Sequence, residues 1–500
     1  NLVEDSSLPI SNFFTLMPEK LISIARENDK PKYNSDFNQY YLNFVLLISL
    51  LHKFQKNEWL NKMLVKYDEF KEICLKKRIL FNTTSNKENN LVWESIFYIE
   101  TVIYNDSIDK YADFFIENVN LAFHLNWALK EIALPLGISF FTFQQVSYMV
   151  DSYRGETKEY NFTDYTLFVT FFPQLIAGPI VLHNEVLPQF EDKNNWKINW
   201  DNIARGLYMF AAGLVKKAVI ADTLSGSVSW GYSHLGSGLT SMDAILTMLA
   251  YTFQIYFDFS GYCDMATGLG YMFNIHIPMN FNSPYKALSV VDFWKRWHLT
   301  LTRFLRTYVY FPLGGSRRGT VRTYINIIIV FLVSGLWHGA NWTFIFWGFL
   351  HGIGNALTRM FRKQWESMHV VLQWAFTFLF VNITWIFFRA DSISQAFTFI
   401  KRILKFQNLN LHAAFLQTFQ LKEFYLIYSH IPVLNKIMAS IRGSDALILL
   451  GGMLFLCLNF KNNQEMNFRP TTKMAAVTVL CLVWGIFTLS GVSEFLYFNF

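Results

Sequence analysis

Asn326-Ile-Ile-Ile-Val-Phe-Leu-Val-Ser-Gly-Leu-Trp-His-Gly-Ala-Asn-Trp342 is the stretch on which the reading of this chain turns. It is apolar enough to sit in a bilayer, yet it carries one histidine, His338. An ionisable side chain inside a membrane is costly and marks a functional site by default. Gly335 and Gly339 flank the ring and allow close approach to the backbone, and Trp337 and Trp342 are placed to wall it. The bland alternative is a core histidine bonded to a carbonyl between helices. A second histidine, His298, stands forty residues upstream in Asp292-Phe-Trp-Lys-Arg-Trp-His-Leu-Thr-Leu-Thr-Arg303. The pair suggests a membrane enzyme with a histidine at the bottom of a polar pocket.

Composition agrees with that setting. The chain has 500 residues, 52% hydrophobic and 18% aromatic, with only 16% charged, where a soluble domain carries about 25% charged residues. Its 51 Phe, 24 Tyr and 15 Trp suit lipid-facing rings and interfacial belts. The expected fold class is an all-α integral membrane protein in a lipid bilayer, although the length would allow about three soluble domains. The net charge of +6 is small for the length and gives no sign of nucleic-acid binding. Cys74, Cys263, Cys457 and Cys481 form no C-x-x-C pair, so neither a zinc site nor a disulfide framework is indicated, and no metal is implied. No basic stretch followed by an apolar one opens the sequence, so no cleavable signal peptide is expected.

A spanning helix needs about 20 largely apolar residues. Candidates run over 132–150, 165–182, 203–221, 242–262, 324–337, 343–357, 370–388, 446–460 and 474–492. Residues 1–110 read differently, as a polar segment that is peripheral or half-spanning, with one strong apolar run at 41–51; residues 111–500 form the membrane body. The stretch 404–436, which contains Pro432, reads as a re-entrant or interfacial helix pair. The basic residues Lys286, Lys295, Arg296, Arg303, Arg306, Arg317, Arg318 and Arg322 lie between the two histidines, which puts that region on the cytoplasmic side by the positive-inside rule.

Several groups have side chains suited to chemistry. A neutral imidazole can take a proton from a hydroxyl or thiol and return it. His298 falls in a segment that reads as an amphipathic helix with Phe293, Trp294, Trp297, Leu301 and Phe304 on its apolar face; it is either His338's partner or an incidental residue on an interfacial helix. Asp258 and Asp264 are six residues apart and so lie on different faces of a helix. They fit a structural ion-pair network or the proton relay of a transporter. Asn280-Phe-Asn-Ser-Pro-Tyr285 is a turn with fixed amide groups. Gly314-Gly-Ser-Arg-Arg-Gly319 lacks P-loop spacing and reads as a basic surface loop. Pro173-Gln-Leu-Ile-Ala-Gly-Pro179 breaks a span, which is tolerated where the backbone lines a cavity.

The order of these motifs resembles a known family. Leu134-Pro-Leu-Gly-Ile-Ser-Phe-Phe-Thr-Phe-Gln144, Phe171-Phe-Pro-Gln-Leu-Ile-Ala-Gly-Pro179, Gln254-Ile-Tyr-Phe-Asp-Phe-Ser-Gly-Tyr262, Asn280-Phe-Asn-Ser-Pro-Tyr285, Asp292-Phe-Trp-Lys-Arg-Trp-His298, Tyr310-Phe-Pro-Leu-Gly-Gly315, Ser334-Gly-Leu-Trp-His-Gly339 and Glu494-Phe-Leu-Tyr-Phe498 together resemble the membrane-bound O-acyltransferase (MBOAT) superfamily, in its bacterial alginate O-acetyltransferase-like branch. The resemblance implies a multi-span helical body with a central funnel and re-entrant or interfacial helices in the bacterial cytoplasmic (inner) membrane. It implies His338 and His298 as catalytic residues. It also implies acetyl-CoA as co-substrate with no bound cofactor, an envelope polysaccharide as acceptor (alginate-like or peptidoglycan-like), and an SGNH hydrolase-like acetyltransferase partner. On that reading Arg296, Arg317 and Arg318 meet the donor's phosphates, Asn282 and Tyr285 position the thioester, and Trp294, Trp337 and Asp258 complete the substrate-binding set. D-alanyl transfer to teichoic acid, or a transporter or flippase using Asp258, Asp264 and the histidines, are the alternatives. None of the motifs falls in residues 1–110, where the family usually opens with hydrophobic spans.

Overall fold

The computed structural model describes residues 111–500 except 112, 124, 130–136, 158–159, 161, 176–177, 421–429, 434–435, 437–444, 490–495 and 497–500. The half-span expected at 41–51 and the boundary at 110 therefore lie outside the described residues. Among the described residues all regular structure is helical. The helices that build and support the site are α1 (Ile138–Tyr153), α2 (Trp200–Leu214), α3 (Asp222–Ser233), α4 (Ser241–Met272), α5 (Val290–Trp294), α6 (Leu299–Leu305), α7 (Thr320–His338), α8 (Trp342–Met360), α9 (Val370–Arg389), α10 (Ile393–Leu404), α11 (Asp445–Asn459) and α12 (Thr472–Thr488).

Helix α4 is the central strut. It starts on a reciprocal cap, in which the Thr240 hydroxyl accepts the Asp243 N–H at 3.0 Å and the Asp243 carboxylate accepts the Thr240 N–H at 3.2 Å, satisfying donors that the first turn leaves open. Its 32 residues rise about 46 Å at 1.5 Å per step, well beyond the span expected at 242–262. Helix α2 packs against it through glycine. A Cβ on Gly206 would lie 2.4 Å from the Gly268 carbonyl oxygen, and one on Gly213 would lie 2.5 Å from that of Gly261. The helices are antiparallel, and the glycines on each are seven residues apart. Small residues of this kind let membrane helices touch backbone to backbone.

Helices α7 and α8 form an antiparallel pair, turned at Gly339-Ala-Asn341 with the Asn341 side chain capping α8 through the Thr343 N–H at 3.0 Å. Gly335 and Gly348 bring these backbones together in the same way. Two described helices, α7 and α9, are long and apolar enough to cross a membrane, with mean hydropathies of 1.6 and 1.8. The apolar helices over Ala446–Asn459 and Thr472–Thr488 are shorter. Between these elements the core is filled by rings, among them Trp347, Trp385, Tyr251, Phe253, Phe259 and Phe293, each essentially without solvent exposure.

Three expected elements take a different form. The span expected at 165–182 is broken into Phe162–Thr170 and the short Phe172–Leu175, since Pro173 cannot donate to the ladder and its ring clashes with a continuing helix. The span expected at 203–221 is α-helical only to Leu214 and then widens into a π-helical turn, Val215–Ala221. That turn presents Lys216 and Lys217 side by side: Lys216 pairs with Asp264 at 2.6 Å, while Lys217 pairs with Asp258 at 2.8 Å and Asp222 at 2.7 Å. The segment expected to be one amphipathic helix around His298 is two short helices, α5 and α6, separated by a turn. Residues 148–171 belong to a compact unit distinct from the one holding 109–147 and 172–500. Within that first unit Tyr148 packs on Tyr165 with ring centroids 4.8 Å apart.

The glycine contacts give a direct test. Gly213→Leu or Gly268→Leu should cost at least about 1–3 kcal/mol through overpacking and lower the melting temperature of the detergent-solubilised protein. Gly226→Leu, where a Cβ meets nothing within 4 Å, should leave it unchanged or raised. Equal melting temperatures for all three would show that the α2–α4 contact does not carry the fold.

Candidate active site

His298 has no exposed surface. It sits between α5 and α6 in the left-handed conformation, with φ 46° and ψ 55°, which costs a non-glycine residue about 1–3 kcal/mol and persists only where its surroundings enforce it. The enforcement comes from a distant segment. Backbone bonds run from Asn282 N–H to the Arg296 carbonyl at 2.8 Å and from Leu299 N–H to the Asn280 carbonyl at 2.9 Å, clamping the turn from both sides. Asn280, fully buried, reaches across it. Its Oδ1 lies 3.0 Å from His298 Nδ1, 2.9 Å from Thr300 Oγ1 and 3.3 Å from the Thr300 backbone N. Its amide nitrogen donates to Cys263 Sγ on α4 at 3.3 Å. Thr300 Oγ1 in turn accepts the Ile180 N–H at 3.0 Å. The broken span that ends at Pro179 is thereby tied to the histidine turn, and Arg303 secures the same junction through Glu185 and the Ile180 carbonyl at 3.0 Å. Burial lowers the His298 pKa, because water no longer stabilises the charged form, so the resting ring is neutral.

His338 ends α7 and is 5% exposed. Its ring packs edge-on against Trp337, Trp347 and Phe388, with centroids 4.8, 5.2 and 5.1 Å away. Trp337 is the shared wall, since its centroid is also 6.3 Å from that of His298. Phe143 stacks on Trp337 at 4.7 Å and on Phe304 at 4.1 Å, and Phe259 closes against His298 at 4.8 Å. Two imidazoles thus face a common aromatic enclosure, where they meet little competing water.

The other residues singled out from the sequence scatter. Trp294 is buried and donates its indole N–H to His351 Nδ1 at 3.1 Å. His351 Nε2 lies 3.0 Å from Thr384 Oγ1. An indole can only donate, so His351 Nδ1 is its acceptor and both ring nitrogens are occupied: His351 is a packing residue. Tyr285 is buried with its hydroxyl on the Thr252 carbonyl. Asn282 approaches Asn462 at 3.4 Å, and Arg296 pairs with Asp292 at 3.0 Å while donating to the Asn282 carbonyl at 3.3 Å. Asp258 is committed to Lys217 and to the Leu496 N–H at 3.3 Å. Of the substrate-binding set, only Trp337 touches both histidines. Sequence reasoning misses Thr300, and it reads Asn280 only as one of the two fixed amides of the Asn280–Tyr285 turn, with no link to His298.

Arg317 and Arg318 are exposed in the loop before α7, where Gly314, Gly315 and Gly319 take positive φ of 97°, 56° and 89°. From Thr320 to His338 α7 rises about 27 Å, so these arginines and the catalytic candidate stand at opposite ends of one helix. The antiparallel α8 returns Arg359 to the arginine end. There a cavity of about 480 Å³ is lined by Ser289, Asp292, Lys295, Arg359 and Trp365, among others.

Comparison with known proteins covers the same stretch of chain. The profile of the membrane-bound O-acyltransferase family, MBOAT, matches residues 120–393, which hold both histidines and every wall just described. A peptidoglycan O-acetyltransferase of Helicobacter pylori is 42% identical over 78% of this chain and 79% of its own length. A probable alginate O-acetylase, AlgI, of Azotobacter vinelandii is 40% identical over 65% of this chain and 66% of its own. A teichoic acid D-alanyltransferase of Streptococcus thermophilus is 26% identical over 47% and 59%. A family match over more than half of the chain, and a relative aligned over most of both lengths, make this protein an acyltransferase of the membrane-bound O-acyltransferase family.

Proposed function

We propose that the protein transfers acetyl groups from an acetyl-CoA-type thioester to hydroxyls of a bacterial cell-envelope polysaccharide. The observation that carries this reading is the pair of buried imidazoles sharing Trp337 in a chain about 40% identical to a peptidoglycan O-acetyltransferase and to an alginate O-acetylase. The weaker likeness to D-alanyltransferases, 26% over less than half of the chain, favours acetyl over D-alanyl as the cargo.

In this scheme the acceptor hydroxyl attacks the thioester carbonyl. A C–O bond forms, the C–S bond breaks, and the hydroxyl proton ends on the departing sulfur. His338 takes the proton from the hydroxyl. His298, on the sulfur side, receives it and hands it to the thiolate. The arginine end of α7 is the entry for the donor, its phosphates meeting Arg317 and Arg318 as charge-assisted acceptors. The helix-long gap to His338 suits a thioester carried on a long arm. We place that end in the cytoplasm on the strength of its Lys and Arg content. The acceptor is reached from the other side of the inner membrane, with an SGNH hydrolase-like protein carrying the acetyl group onward.

Mass spectrometry of envelope polysaccharides with and without the gene tests the reading as a whole. Loss of glycan O-acetyl esters is expected; an unchanged acetyl content with altered D-alanine would replace it with the teichoic acid alternative. His338→Ala should lower acetyl transfer by about 10²–10⁴-fold, the usual contribution of a general base, at unchanged abundance in the membrane. Activity within about twofold of the native protein would remove His338 from that role.

Arg317→Glu together with Arg318→Glu should raise the KM for acetyl-CoA while leaving turnover at saturation nearly as it was. The effect should shrink as salt screens the charges. A KM unchanged at both low and high salt would place the donor elsewhere and leave this loop as a contact for lipid headgroups.

A further inference from the structure

We propose that Asn280 is a positioning residue that fixes which nitrogen of His298 carries the proton, holding Nε2 ready as an acceptor inside the aromatic enclosure.

Amide oxygen and nitrogen are hard to tell apart in isolation and are assigned from their partners. Here the partners decide. The Thr300 backbone N–H can only donate, and it points at Asn280 Oδ1 at 3.3 Å. The Thr300 hydroxyl already accepts the Ile180 N–H at 3.0 Å, so its own proton is directed to the same oxygen at 2.9 Å. On its other side the amide meets Cys263 Sγ, a sulfur that takes the N–H at 3.3 Å. Oδ1 is therefore an acceptor, and His298 Nδ1, 3.0 Å away, must be a donor. A neutral imidazole has one ring proton. With that proton on Nδ1, Nε2 holds the lone pair, and among the described residues it has no hydrogen-bond partner although the side chain is wholly buried. A buried polar atom left open in this way costs stability, and the left-handed turn that holds it there adds to the cost. Both are explained if Nε2 is reserved for a group that arrives with a substrate.

The consequence for the reaction rests on placing His298 on the sulfur side. A ring that starts with Nε2 empty cannot give the thiolate a proton at once. It must first receive the proton that leaves the acceptor hydroxyl, after which the N–H formed at Nε2 is transferred to sulfur as the C–S bond opens. Atoms and charge balance: the hydroxyl loses one proton, the thiol gains it, and His298 returns to its resting tautomer with Nδ1–H still on Asn280. Asn280 is thereby a gate on order, making donation follow acceptance.

The test uses the full-length protein in lipid nanodiscs. Nitrogen-15 NMR of selectively labelled histidine, with His298→Gln identifying the signal, should report Nδ1 protonated and Nε2 bare in the native protein. Asn280→Ala should lose that preference, and Asn280→Asp, which keeps the oxygen acceptor, should retain it. In acetyl-CoA hydrolysis Asn280→Ala should lower kcat by about 10–100-fold, less than the loss of a general base itself (about 10²–10⁴-fold), with little change in KM. Asn280→Asp should recover most of that loss and move the acidic limb of the pH–rate profile upward, since a neighbouring carboxylate stabilises the imidazolium. In the His298→Gln background Asn280→Ala should add nothing further, as expected for residues acting as a unit. An Nε2–H tautomer in the native protein, or losses that simply add, overturns the proposal. The expected tautomer in a protein without acetyl transfer activity would sink the acetyl reading above and leave the assignment to Asn280 standing.

Discussion

A neutral imidazole can be buried among rings only if one of its nitrogens is given a partner that cannot leave. Asn280 is that partner, and much of the structure is arranged to keep it still. Its oxygen gathers the ring, a hydroxyl and a backbone N–H; its nitrogen reaches α4; its own carbonyl clamps the turn after His298. The hydroxyl belongs to Thr300, which ties in the backbone just past Pro179. Backbone just after the 173–179 motif, a hundred residues upstream, and the neighbouring motifs at 280–285 and 292–298 thus meet around Asn280 and Thr300. Their shared presence in the sequence has a mechanical reason: each supplies one wall of the same junction.

The helical class was legible from hydropathy, because it depends on local composition, whereas the pairing of the two histidines was suggested by the order of the family motifs and left open by spacing alone. The conformation at His298 was not legible. Its neighbours Phe293, Trp294, Trp297, Leu301 and Phe304 repeat at helical intervals, and by periodicity alone the segment is a helix with His298 on its polar side. The backbone bonds from Asn280 and Asn282 override that pattern, and no local signal records a clamp that arrives from sixteen or more residues away. The substrate-binding set failed to assemble for a related cause. Trp294, Tyr285 and Asp258 carry groups that suit a ligand, but each finds a partner inside the protein, in His351, the Thr252 carbonyl and Lys217. Which polar groups are spent on packing is a three-dimensional matter.

The acids on α4 show the opposite case. Their six-residue offset forbids a facing pair, and the structure answers with two separate lysines. Adjacent residues on an ordinary helix diverge by about 100°, and the wider π-turn at 215–221 lets Lys216 and Lys217 serve both acids. Removing one partner of such a buried pair is expected to harm the protein far more than the pair itself stabilises it. Asp258 also holds the Leu496 N–H, so this ion network has a second task beside its charge pairing.

The seven-residue glycine spacing on α2 and α4 also governs how the molecule can breathe. Two helices touching backbone to backbone at points about 10 Å apart can neither roll nor slide without collision, so this pair acts as a rigid keel. Compliance is left to the places where regular helix is interrupted: the π-turns at 215–221 and 306–310 and the left-handed turns at Ser283 and His298. Of those left-handed turns, the one at His298 borders the aromatic enclosure. The keel is thus stiff where glycines touch, and the irregular backbone of the molecule, the His298 turn included, lies outside it.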